Sequence, residues 1–180
     1  MRKLLLPTLP ALLVMGACCA AAVLCPVARG AAEAAGDVQR MLDGQSSADL
    51  SVFPIGEPNR IAAEHFTGES FIGALSTEQV GIFNVTFEPG CINEWHTHHA
   101  ASGGGQILIV TAGRGWYQEW GKAARELRPG DVVNVPAGVR HWHGAAKDSW
   151  FQHIAVAVPG EGTSTEWHGA VSSEDYAKLN

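Results

Sequence analysis

Two pairs of histidines in the middle of the chain have a spacing that suits metal ligands. One residue separates His96 from His98 in the first pair, and one residue separates His141 from His143 in the second. Residues i and i+2 of a strand point to the same face of a sheet, so each pair could aim two imidazoles at one point. Imidazole nitrogens bind Zn, Fe, Mn, Ni and Cu, and the amide oxygen of Gln106 could add a harder ligand. We interpret these five residues as a predicted metal site.

The segments around the histidines have the composition of short strands separated by turns. They are rich in β-branched and aromatic residues, and glycine- and proline-containing turns separate them. Short strands at regular spacing favour an all-β sandwich or barrel over a parallel α/β sheet. The predicted strands cover residues 80–88, 106–111, 115–120, 131–135 and 150–158.

The N-terminal sequence has the order typical of a secretory signal peptide. Arg2 and Lys3 precede an apolar run over residues 4–27, and small residues follow at 28–32. The same run is long enough to be an uncleaved membrane anchor, and Met15-Gly16-Ala17-Cys18 loosely resembles a lipidation box. We interpret the run as a cleaved leader, which predicts an exported protein, periplasmic or secreted, without stable membrane insertion. The predicted organisation is a signal peptide at 1–31, a lead-in segment at 32–65 and one domain at 66–176.

Charge and cysteine content exclude some functions. The chain has 12 basic and 18 acidic residues, a net charge of −6, and the leader removes three basic residues and no acid. The mature protein therefore has a charge of about −9 and no basic run, which argues against nucleic-acid binding. Of the cysteines only Cys91 remains, so an internal disulfide is excluded, and we interpret Cys91 as a small buried residue.

Two longer patterns that contain the histidines resemble the two motifs of the cupin family. The first runs from Gly90 through His96-Thr97-His98 and Gln106 to Gly113, and the second from Gly130 through Pro136-Ala137-Gly138 to His141. The resemblance implies a jelly-roll fold, an antiparallel β-barrel. It also implies one divalent metal ion per chain, with the ligands His96, His98, Gln106 and His141.

A narrower resemblance covers residues 66–176. Segments 85–90, 105–111, 128–133 and 141–145 look like those of small bacterial cupins grouped with carboxymuconolactone decarboxylase-like proteins. That group includes manganese-dependent hydroxynitrile lyases, which implies Mn, with Fe, Zn or Ni as alternatives, and a pocket histidine that matches His153. A homo-oligomer, favoured as a dimer, is also implied. In one departure, residues 99–105 lengthen the usual spacer before Gln106, and this flexible insertion could reshape the pocket entrance or move Gln106 out of coordination.

The predicted ligand set favours Lewis-acid chemistry on a small-molecule substrate. Three neutral imidazoles and an amide leave the ion its full charge of +2, so it could polarise a carbonyl or lower the pKa of a hydroxyl. His143 could move a proton, as could His153, which shares a strand face with Phe151 and Ala155. This set favours a lyase that cleaves a carbon–carbon bond next to an oxygen, in the manner of a hydroxynitrile lyase or a decarboxylase.

Two other functions remain open at this point. An Fe- or Cu-dependent oxidoreductase of the dioxygenase type could use the same ligands, and a non-catalytic cupin could hold a metal or small ligand. The aromatic residues near the motifs could form apolar pocket walls or barrel core; they are Trp95, Trp116, Trp142 and Phe151. The remaining histidines are placed outside the site: His99 and His168 in loops, and His65 in the lead-in.

Overall fold

In a computed structural model of the chain, the described part spans residues 51–179 and is built from antiparallel β-strands. The predicted signal peptide at 1–31 and the first part of the lead-in lie outside these residues. Within the described part, helices are short, and none has the length and apolar character needed to cross a membrane. The expected all-β fold is therefore confirmed.

Two sheets face each other and carry most of the strands. The strands are β1 (Glu57–Pro58), β2 (Ser70–Ser76), β3 (Ile82–Phe87), β4 (His96–His99), β5 (Ser102–Gly103), β6 (Gln106–Gly113), β7 (Gly115–Glu119), β8 (Arg125–Leu127), β9 (Val132–Val135), β10 (Arg140–Ala145), β11 (Phe151–Ala157), β12 (Gly160–Glu161) and β13 (Ser164–Trp167). The six-stranded sheet has the order β1-β2-β3-β11-β6-β9, and the five-stranded sheet has the order β13-β4-β10-β7-β8. A 3-10 helix, Ala63–His65, follows β1, and one α-helix, α1 (Ser173–Ala177), follows β13.

All five strands predicted from composition are present, with ends displaced by one to two residues in most cases. The remaining strands were not predicted individually, because several have only two to four residues. Strands β5 and β12 have two residues each, lie outside the two main sheets and pair with each other. We call residues 99–105 together with 158–163, which contain this pair, the rim ribbon.

The hydrophobic core lies between the two sheets and follows from alternation along the strands. On β9, Val133 and Val135 are buried while the residues between and before them are exposed. On β6, Leu108 and Val110 point inward in the same way. Phe87 and Phe151 are fully buried beside them, and burying a side chain of this size contributes about 1.5–3 kcal/mol. The core thereby holds the two sheets face to face and fixes which residues point between them.

A second apolar cluster lies on the outer face of the five-stranded sheet. Trp142 alternates with His141 and His143 on β10 and therefore points away from them. It packs with Trp95 and with residues of the C-terminal segment around α1, and the hydroxyl of Tyr176 donates a hydrogen bond to the Ala145 carbonyl, 2.8 Å away. Both faces of β10 are therefore buried, which holds the strand that carries the second histidine pair.

Candidate metal centre

Three of the predicted ligands meet between the sheets. His96 and His98 point inward from β4, and His141, which lies opposite His96 in the antiparallel register, points inward from β10. One ring nitrogen of each of these three histidines lies within 4.8 Å of the others. The ring centroids of His96 and His141 are 4.1 Å apart. We call these three residues the histidine triad, and its geometry could hold a metal ion.

Each ring of the triad is held through its Nδ1 atom. His96 Nδ1 is 2.9 Å from the Glu94 carbonyl oxygen, and His141 Nδ1 is 2.9 Å from the Val139 carbonyl oxygen. A carbonyl oxygen only accepts, so in both rings Nδ1 carries the proton and Nε2 keeps its lone pair. Metal-binding histidines have this arrangement. In the described part of the chain, His141 Nε2 and His98 Nε2 are buried without a hydrogen-bond partner.

Gln106 adds an oxygen to this group from the other sheet. It begins β6, its Oε1 atom is buried without a hydrogen-bond partner among the described residues, and it lines the same cavity as His98. Buried polar atoms without partners are unfavourable unless a water or ion satisfies them. Two imidazole nitrogens and one amide oxygen in this state, next to His96, fit a divalent ion.

The longer spacer before Gln106 is part of the rim ribbon. Ala101 N–H donates to the Glu161 carbonyl at 2.8 Å, and Gly104 N–H donates to the Pro159 carbonyl at 3.0 Å. Gly103, Gly104 and Gly105 all have positive φ, between 62° and 95°, a region that residues with a Cβ rarely adopt. These three glycines let the chain turn back into β6, so the spacer is tied by hydrogen bonds and leaves Gln106 beside the triad.

Burial keeps the triad in the neutral form that binds metal. Burial lowers the pKa of His141 to about 4 and holds that of His96 well below its usual range, with the neighbouring His141 adding to the effect on His96. Burial also lowers the pKa of His98, against the opposing effect of Gln106. Since a charged imidazole is disfavoured in this environment, all three rings are neutral at pH 7.

His143 and His153 form a second buried group next to the triad. His153 Nε2 is 3.2 Å from His143 Nδ1, and His143 and His153 are 4% and 0% exposed, respectively. The His143 ring is 5.4 Å from that of His96 between centroids, whereas His153 packs against Phe87 and Phe151. His143 therefore lies between the triad and His153. Burial lowers the pKa of His153 to about 4, and burial together with His153 holds the pKa of His143 well below its usual range.

A cavity of about 560 Å³ opens next to the triad. His98 and Gln106 line it, whereas His143 and His153 are not among the described residues that do so. One wall comes from β3 and β11 and is largely apolar, including Phe83. The opposite wall is more polar and comes from the rim ribbon and β13; its residues include His99, Thr163, Ser164 and Thr165. A small molecule in this cavity would touch the outermost ligand positions.

The segment that carries the site matches the cupin domain over residues 83–157. A protein named (R)-mandelonitrile lyase, from Granulicella tundricola, is 45% identical over 120 residues, which are 64% of this chain and 88% of the relative. The chain belongs to the cupin family. A cupin-like protein from Thermotoga maritima has a crystal structure that covers 71% of this cupin and 96% of its own length, with 41% identity and a TM-score of 0.63. A cupin 2 conserved barrel domain protein from Rhodopseudomonas palustris, 17% identical with a TM-score of 0.51, shares the fold.

Several residues around the site of this cupin were not predicted from its sequence. Asn93 accepts a hydrogen bond from the backbone N–H of His143 at 2.9 Å, and its amide nitrogen is 3.2 Å from His143 Nε2. Thr165 contacts the ring of His98. Asn93 is separated from His143 by 50 residues and Thr165 from His98 by 67, so only contacts between distant segments of the chain bring them together.

One local expectation was wrong. His99 was placed in a loop, but it is the last residue of β4, where pairing with Ser164 extends the strand. Of the two roles left open for Trp95 and Trp142, the structure shows apolar core and not pocket wall, since they belong to the outer cluster. Phe151 is core, between the sheets.

Proposed function

We propose that this cupin is a metal-dependent lyase that cleaves a carbon–carbon bond next to an oxygen in a small hydroxy compound, with cyanohydrins as the first substrates to test. The observation that carries the proposal is a set of buried ligand atoms beside a pair of neutral buried histidines. These atoms, which have no hydrogen-bond partner in the described part of the chain, are His98 Nε2, His141 Nε2 and Gln106 Oε1. The name of the 45% identical relative, (R)-mandelonitrile lyase, supports the same reaction class.

In this proposal the triad and Gln106 hold one divalent ion, with Mn favoured. When bound, the ion supplies a Lewis acid with its full charge, because all of its protein ligands are neutral. The chain's own residues accept the substrate proton and later return it. His143 is neutral, is nearest to the triad, and shares a hydrogen bond with His153, so the pair can take the proton that a substrate hydroxyl releases.

The atoms of the cyanohydrin reaction balance with these groups alone. The hydroxyl proton moves to the histidine pair, the C–O bond becomes a carbonyl, and the electrons of the broken carbon–carbon bond leave with cyanide. The pair then returns its proton to cyanide. Burial holds the pKa of both rings low, so a protonated ring gives its proton up readily, whereas the first transfer would require the hydroxyl to be made more acidic by the bound ion. The largely apolar wall near Phe83 suits a substrate with a hydrocarbon substituent.

The experiment is metal analysis of the purified protein combined with a cyanohydrin turnover assay. Release of cyanide and aldehyde by the metal-loaded protein, lost on chelation and restored by Mn²⁺, is the expected result. Oxygen uptake with turnover would establish the dioxygenase-type alternative instead. Stoichiometric metal with no turnover of cyanohydrins or carboxymuconolactone-type acids, and no oxygen uptake, would establish a non-catalytic binding cupin.

We further propose that the mature protein is exported and forms a homo-dimer. The apolar run at 4–27 behind Arg2 and Lys3 supports export. Mass spectrometry of protein from its native host is expected to find an N-terminus near Ala31, and an intact Met1 in a membrane fraction would contradict this. Light scattering of the mature protein is expected to give twice the chain mass.

A further inference from the structure

The three rings of the histidine triad are not held in the same way. His96 and His141 each use the backbone carbonyl of the residue two positions earlier in the chain, Glu94 and Val139, which lie just before their strands. Replacing a side chain cannot remove these two contacts. His98 uses a side chain from a different strand, because its Nδ1 atom is 3.1 Å from the Thr165 hydroxyl oxygen. The Nδ1 contact of His98 therefore depends on a single replaceable side chain.

Strand register brings Thr165 to this position. β13 pairs antiparallel with β4, and Thr165 lies directly opposite His98. The next pair in the register, Glu166 and Thr97, points to the other face of the sheet. Thr165 thus shares the inner face with His98, at the polar wall of the 560 Å³ cavity.

We propose that Thr165 is a positioning residue that fixes the tautomer and direction of His98. The inference rests on the proposed function in that the triad is taken to bind a metal ion. In this arrangement the Thr165 hydroxyl accepts a hydrogen bond from His98 Nδ1–H, which leaves the lone pair on Nε2, a buried atom that has no hydrogen-bond partner among the described residues. With His96 and His141 in the same tautomer, all three Nε2 atoms present lone pairs to one point.

The solvent exposure of the hydrogen bond between Thr165 and His98 determines how much metal affinity we expect Thr165→Val to lose. Removing a partner of a metal-binding histidine weakens metal binding by roughly 10–100-fold. The bond between Thr165 and His98 is exposed, so a water molecule can take the place of a lost hydroxyl. We therefore expect a loss at the low end, about tenfold, for Thr165→Val.

The first test is the Mn²⁺ dissociation constant of the metal-free protein and its variants. Thr165→Val keeps the β-branched shape and removes the hydroxyl, and Thr165→Ser keeps the hydroxyl. Thr97→Val is the matched control, because Thr97 has an equivalent bond, 2.8 Å to the ring of His168, which lies outside the triad. We expect weaker binding for Thr165→Val, and affinities near that of the wild type for the other two. Unchanged affinity in Thr165→Val, or an equal loss in Thr97→Val, would overturn the proposal.

The second test does not depend on the metal. Two-bond ¹H–¹⁵N spectra of the imidazole rings in the metal-free protein report which nitrogen carries the proton. The wild type and Thr165→Ser are expected to show His98 in the Nδ1–H form, and Thr165→Val is expected to show a mixture of tautomers. If the wild type binds no metal but shows this pattern, the proposed function fails and the role of Thr165 stands. If His98 has the same tautomer in all variants, the role of Thr165 is refuted whatever the metal affinity.

Discussion

Acid is expected to destabilise the metal-free protein steeply, because buried histidines are held neutral in the native state. Burial lowers the pKa of His141 and of His153 from 6.5 to about 4. Between these two values the unfolded chain binds a proton at each ring and the native protein does not. The stability contributed by the neutral rings is therefore fully present above pH 6.5 and is lost as the pH falls toward 4.

The magnitude follows from the width of this window. One unit of pKa corresponds to about 1.36 kcal/mol, so each of the two rings lowers the free energy of unfolding by about 2 kcal/mol between pH 7 and pH 5. His96 and His143, whose pKa values are also held well below the usual range, act in the same direction. Domains are typically stable by about 5–15 kcal/mol. As the pH is lowered, the metal-free protein is therefore expected to unfold before the pH reaches 4.

Urea unfolding of chelator-treated protein at pH 7, 6 and 5, followed by tryptophan fluorescence, measures the effect. His153→Gln, which cannot titrate, is expected to lose about 2 kcal/mol less than the wild type over this range. Phe87→Leu is the control, because Phe87 packs against the rings of both His143 and His153. It is expected to lower stability equally at each pH. A wild-type change below about 1 kcal/mol between pH 7 and pH 5 would refute the reasoning, because it would mean that the rings titrate in the native protein.

The remaining predictions concern the ligand set, the histidine pair and the rim ribbon. His141→Ala is expected to lose most of the bound metal in elemental analysis, and full occupancy would contradict its assignment as a ligand. His153→Ala is expected to keep its metal and lose roughly a hundred-fold in turnover; full activity there, with loss in His143→Ala, would reverse the roles of the two histidines. Gly104→Ala is expected to lower the melting temperature, because φ is +75° and the new Cβ would overlap that of Ala100. Adding Ala100→Gly is expected to recover part of this loss, and no recovery would show that the overlap is not its cause.

The sequence predicted the parts of the site that depend on alternation along one strand. His96 and His98 share a face of β4, as do His141 and His143 on β10, because the period of a strand is two residues. The all-β fold was predicted for the same reason, since short β-branched segments between glycine and proline turns rarely form anything else. Both are local properties, which neighbouring residues determine.

The parts that could not be predicted depend on pairing between distant segments. Thr165 reaches the site through the register of β4 and β13, and Asn93, which precedes β4, does so through its hydrogen bonds to the His143 backbone. No pattern in the sequence marks either residue. The path of the spacer before Gln106 depends on its pairing with β12, about sixty residues later in the chain. A two-residue strand has too little periodicity to be recognised, so the hydrogen bonds that tie the spacer became visible only in the structure.

The placement of the four predicted ligands on two sheets has a consequence for the protein's mechanics. His96, His98 and His141 belong to the five-stranded sheet and Gln106 to the six-stranded sheet, so an ion bound by all four would act as a cross-link between them. Ligand binding to the native state alone stabilises it by about 2.7 kcal/mol at a free concentration a hundred times the Kd. The amides at the start of β6 and at the end of β4 would then exchange with deuterium more slowly in the loaded protein. Chelation would release this end of the sheet pair first, while the core around Phe87 and Phe151 stays closed.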